Sequence, residues 1–167
     1  MAEVLLITRA DLVKYTAVNG NVDTDKFIQF IKIAQDIHIQ NYLGTLLLEK
    51  IKTEVEANTL ANPYLDLVND HVKWMLIHWA MVEYLPFSAY TIANKGVYKH
   101  GSENAENVSK IEVDFLIEKQ RDLAQHYTQR FLDFMCANST DFPEYNQATN
   151  NGEVSPSSDN FLGGWVI

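Results

Sequence analysis

The chain has 167 residues and a formal net charge of −9, from 13 basic against 22 acidic side chains. That length suits one domain that buries a core without staples, and the acidic balance argues against a stable grip on nucleic acid, whose affinity comes from neutralised phosphates. The single cysteine, Cys136, excludes an internal disulfide framework and fits a reducing compartment.

At the start, Met1-Ala2-Glu3 carries no basic run and residues 4–7 are too short for an apolar leader, so no secretory signal is expected. Thr8 and Asp11 form a capping box that opens a short helix ending near Tyr15. Asn19-Gly20-Asn21 reads as a turn. Asp23 then caps a second helix over residues 24–43, which Gly44 stops. On its wheel Phe27, Phe30, Ile31, Ala34, Ile37 and Tyr42 share a broad face, with Ile33 and Ile39 at the flanks. So wide a face means either a deeply buried helix or a second interface. A third helix follows over residues 46–57, with Leu47, Leu48, Ile51 and Val55 inward.

The central helix is predicted from Asn62 as N-cap, with Pro63 in the first turn, to about Asn94, where Gly96 supplies a stop. Its stripe is Leu65, Val68, Val72, Met75, Leu76, Trp79 and Val82. Between Trp74 and Leu85 only His78 and Glu83 are strongly polar, so this stretch must be covered on more than one side. Pro86 is expected to kink it. Residues 97–108 keep no helical period and read as an extended loop or a short hairpin. Ser109 and Glu112 form a second capping box. The last long helix then runs to about Asn138, with Leu116, Leu123, Tyr127, Phe131 and Phe134 as its buried stripe. The fold class is therefore all-α, a bundle of about five helices over residues 1–138. Residues 139–167 read as an extended tail: an aromatic anchor at residues 141–145, a polar linker over 146–160, and the apolar end Phe161, Leu162, Gly163, Gly164, Trp165, Val166, Ile167.

No catalytic, cofactor or metal site emerges. His71 and His78 are seven apart, about 10 Å along a helix, too far to share an ion simply. Neither Glu-x-x-His nor His-Glu-x-x-His occurs, nor any calcium loop. His38 and His126 are expected to be hydrogen-bonded within apolar faces, and Cys136 to be a small buried hydrophobe. Trp74, Trp79, Tyr84, Phe87 and Tyr90 read as core before they read as a ligand pocket.

Several stretches resemble the head–tail connector, or portal adaptor, proteins of tailed bacteriophages. These are the lead-in and short helix over residues 5–15, the acidic pair Asp23 and Asp25, and Phe27, Ile31 and Ala34-Gln35 closing in Tyr42-Leu43-Gly44. Arg121, Ala124, Tyr127 and Phe131 on the last helix continue the likeness, which covers Leu5 to about Asn138. Asn19-Gly20-Asn21-Val22-Asp23 and Phe142-Pro143-Glu144-Tyr145 are similar to versions from crAss-like phages of gut bacteria. The resemblance implies a helical virion subunit, assembled in the host cytoplasm into a dodecameric ring. Such a ring binds the portal protein above and the next tail component below, and DNA passes through it without specific binding. It implies no catalytic residue, no cofactor and no membrane. The tail residues Phe161, Leu162, Trp165, Val166 and Ile167 are then candidates for docking on a neighbouring subunit, or on a portal or tail protein, the other possibility being a fold back onto their own bundle. The competing function is a small helical ligand-binding or regulatory protein with a pocket among Trp74, His78, Trp79 and Tyr90.

Overall fold

The computed structural model describes residues 3–18, 24–88, 90–93, 96–99, 109–147 and 153–159. Thr8 and Asp11 cap α1 (Arg9–Tyr15) reciprocally, and Ser109 and Glu112 do the same for the long helix α5 (Lys110–Asn138). Between them lie α2 (residues 24–43), α3 (Thr45–Glu56) and α4 (residues 64–84), and α6 (Pro143–Asn146) closes the bundle. The expected all-α fold is what the chain adopts. The turn at residues 19–21 and the cap at Asp23 lie outside the described residues.

Two of the helices are not regular. In α2 an α-helix, Thr24–Ala34, passes through a π-helical turn, Gln35–Ile39, into a last α turn, Gln40–Leu43. A π turn holds one residue more than an α turn, so it shifts the phase of everything after it. Ile37 is thereby turned outward and is 57% exposed, whereas Ile39 and Leu43 are fully buried. The regular wheel, which puts Ile37 in the core face and Ile39 at its flank, fails for that reason. Within this turn Gln35 is wholly buried. Its amide donates to the Val4 carbonyl at 2.9 Å, and its carbonyl oxygen accepts from the Leu6 N–H at 3.0 Å. One side chain thus holds the extended lead-in against the bundle as a sheet neighbour would, and satisfies itself doing so.

The second π turn, Val68–Val72, sits inside α4 between Tyr64–Leu67 and Lys73–Tyr84. This helix is the centre of the bundle. Every residue from Met75 to Val82 is buried, because α4 packs against α2 along one side and α5 along the other, while α2 and α5 barely touch each other. The helix does not run to Asn94. It stops at Tyr84, and Pro86 lies in a 3₁₀ turn, Leu85–Phe87. Proline ends the ladder here where a kink was expected. An antiparallel hairpin follows, β1 (Tyr90–Ala93) with β2 (Gly96–Lys99), in the register Tyr90↔Lys99 to Ala93↔Gly96. Gly96 therefore opens a strand and stops no helix. Residues 100–108 lie outside the described residues.

The domain does not end at residue 138. Phe142 is fully buried, with its ring edge-on to Tyr64 at 5.4 Å and tilted against Phe134 at 6.1 Å. Glu144 accepts from the Tyr64 hydroxyl at 2.6 Å, and Tyr145 packs on the core. The anchor expected to be extended is a 3₁₀ turn, Ser139–Asp141, followed by α6. Part of the polar linker is fixed as well. Residues 153–159 lie across the joint between α2 and α3: the Thr45 N–H donates to the Val154 carbonyl at 2.9 Å, the Val154 N–H to Thr45 Oγ1 at 3.0 Å, and the Ser157 N–H to the Asn41 carbonyl at 2.8 Å. The joint itself requires glycine. Gly44 has φ +77°, and a Cβ there would lie 2.7 Å from Pro156 Cδ.

Candidate interaction surface

Inside the bundle the histidines are structural. His38 Nε2 lies 2.9 Å from Glu83 Oε1, and its ring stacks on Trp79 at 4.0 Å. Trp79 donates its indole N–H to Thr128 Oγ1 at 3.1 Å, and Thr128 donates on to the Ala124 carbonyl. His78 Nδ1 lies 2.9 Å from Gln120 Oε1 and its ring stacks on Tyr127, while His71 stacks on Phe134 at 4.3 Å. Trp74 and His78 both stack on Tyr127, Trp79 is held by His38 and Thr128, and the rings that a ligand pocket would need are spent on packing. The side chain of Tyr90 lies outside the described residues. His126 is exposed, against expectation, and so is Cys136, on the outer side of the last turns of α5. Among the described residues no group of His, Cys, Asp or Glu side chains could hold a metal ion, and no helix is long and apolar enough to cross a membrane.

Burial, which outweighs the neighbouring Glu83, holds the His38 pKa below its ordinary 6.5. Burial and the nearby Arg130 lower His71, against the weaker pull of Asp70, and burial lowers His78 despite its bond to Gln120. A histidine whose folded pKa is depressed is protonated first in the unfolded chain. Stability should therefore be complete above pH 6.5 and fall as pH drops below it. Thermal melts from about pH 7.5 to about pH 5.5 should show this decline, and a His78→Gln variant should make it shallower, with His38 and His71 still contributing. A flat profile for the unaltered chain would contradict the buried, neutral assignment.

The outside carries the more informative feature. On α2, Ile28, Ile33 and Ile37 are exposed at 46%, 37% and 57%. On α5 no residue from Lys110 to Leu123 is buried, although Ile111, Phe115, Leu116 and Leu123 are among them, Ile111 at 81% exposure. The first buried residue of that helix is Ala124. Leu116 and Leu123 are thus outward, and the true buried row is Ala124, Thr128, Phe131, Leu132 and Met135. A cleft of about 430 Å³ runs beside part of the bare half. It lies between Val82 and Glu83 at the end of α4, Pro86 of the 3₁₀ turn, and Asp114, Ile117, Glu118 and Arg121 of α5. Phe87, 53% exposed, stands at the same end and stacks on Phe30 of α2 at 5.5 Å.

Residues 39–154, from the π turn of α2 to the first residues laid on the α2–α3 joint, match a protein family described as a family of unknown function, DUF6712. The chain belongs to that family. No curated protein and no solved structure matches it. The DUF6712 match includes α4, the hairpin and the whole of α5, and so the bare α5 half with its four outward apolar residues. That half was detectable in advance. Ile111, Val113, Phe115, Leu116 and Ile117 point around most of the helix, which one core cannot cover. The tail residues singled out from the sequence, Phe161, Leu162, Trp165, Val166 and Ile167, lie outside the described residues.

Proposed function

We propose that this chain is the subunit of a ring in the virion of a tailed bacteriophage, seated beneath the portal protein, where it extends the DNA channel and joins capsid to tail. One observation carries the reading. The subunit has two unlike apolar faces, Ile33 and Ile37 of α2 and the bare half of α5, on helices that flank α4 on different sides. Each large apolar side chain left in water forgoes roughly 1.5–3 kcal/mol of burial. Two unlike faces on one subunit suit a head-to-tail contact, and such contacts close into a ring when the rotation permits. The resemblance of residues 5–138 to portal adaptors supplies the context and the dodecameric copy number. The charge of −9 per subunit fits a channel along which DNA slides without being held.

The test is mass determination in solution, alone and with the portal protein of the same phage. A ring is expected in the mixture. A chain that stays monomeric and leaves the portal unbound would overturn the proposal.

A further inference from the structure

The bundle leaves its hairpin to itself. The strands β1 and β2 pair with each other and barely touch any helix of their own subunit. Two short strands alone are marginal in water and need a helix or a further strand to pack on. Their register stands Ile92 opposite Val97 and Tyr90 opposite Lys99, which puts these four residues on one face. That face is apolar with a single cation. The stretch around it is basic in an otherwise acidic chain: between Glu83 and Glu103 the sequence has two lysines and no acidic residue.

The cleft between α4 and α5 has the complementary character. Val82, Pro86 and Ile117 give it apolar walls, and three carboxylates, from Glu83, Asp114 and Glu118, stand against one guanidinium. Glu83 is held by His38, but Asp114 and Glu118 take part in no ion pair among the described residues. We propose that the hairpin of one subunit seats in this cleft of the next, with the Tyr90, Ile92, Val97 and Lys99 face toward α5. The occupant is a second copy because the chain itself supplies both halves of the match in charge and in apolar character. A contact that joins a hairpin on one copy to a cleft on the next is head-to-tail, the kind that closes into a ring. Symmetry permits it, since the chain leaves the cleft wall at Pro86 and enters β1 at Tyr90, and rotation about a ring axis keeps both features at one level. The closed circle rests on the ring reading; the pairwise contact does not.

Zero-length carbodiimide cross-linking tests it, in an equal mixture of ¹⁵N-labelled and unlabelled protein, with and without portal. Lys99 should join Asp114 or Glu118 in peptide pairs that combine a labelled with an unlabelled chain. Pairs that never mix labels would place the hairpin on its own subunit, and absence of the pairs in both conditions would remove the contact; either result overturns the proposal. Charge reversal is the second arm. Lys99→Glu or Glu118→Lys should each raise the subunit concentration needed for half-assembly on portal by roughly tenfold or more, because like charges then meet at every contact. Glu118 is exposed and the hairpin stands off the bundle, so the melting temperature of the isolated subunit should hold. Both changes in one chain should restore assembly. Single reversals without effect would overturn the proposal, and so would a double variant no better than either single one. Mixed-label pairs without a closed ring on portal would overturn the ring and leave the contact standing.

Discussion

Replacing Phe142 with alanine should cost about 3–5 kcal/mol of subunit stability, the range for deleting a fully buried phenylalanine. The ring is wholly buried and wedged between Tyr64 of α4 and Phe134 of α5, so its removal leaves a cavity where three elements meet. Collapse of the cavity is resisted because α6 is tied from the other side, through Glu144 to Tyr64 and to Lys50 of α3. The midpoint of thermal unfolding should fall on the order of 10 °C for a chain of this size. A linker residue at the same place in the sequence would lose almost nothing. A measured loss below about 1 kcal/mol would mean that the domain does stop near residue 138.

The opposite pattern is expected for Phe115→Asp. Phe115 is 57% exposed, and Lys119, whose ammonium lies 5.8 Å from the centre of its ring, gains an oppositely charged neighbour one turn away. Isolated-subunit stability should change by no more than about 0.5 kcal/mol. In the proposed ring assembly should be abolished, because a buried unpaired carboxylate at an apolar contact costs more than about 2 kcal/mol and every contact of that ring would repeat it. The two measurements are a denaturation curve and a mass determination with portal present. Assembly that proceeds unchanged would remove α5 from the interface, whatever else the ring used.

How much of this could be read from the sequence depended on whether the signal was local. Both capping boxes and the ends of α1 and α5 rest on side chains that bond within their own turn, the stop at Gly44 rests on a left-handed φ that glycine takes freely, and all were legible. The bond of His38 was legible too, since a polar group on so apolar a face has to be satisfied. What failed was non-local or broke the period. Leu116 and Leu123 lie on a side of α5 that α4 does not cover, although α4 runs beside these turns through the contacts of His78 with Gln120 and Tyr127, so their exposure depends on the placement of another element. Cys136 and His126 are exposed on the same helix, and their burial likewise depends on which neighbours are present. The docking of residues 153–159 could not be inferred from a Ser- and Asn-rich composition, because three of its contacts are made by backbone, which every sequence has.

The π turn in α2 has a consequence for the length of the chain. An insertion of one residue into a regular helix is absorbed there as a local bulge, and α2 behaves as a helix that has accepted such a residue between Gln35 and Ile39. A relative one residue shorter at this place could therefore run a plain α-helix and still send the counterparts of Ile39, Tyr42 and Leu43 into the core. The outward station of Ile37 is what it would forfeit. In this helix the extra residue serves the surface, and the interior is indifferent to it.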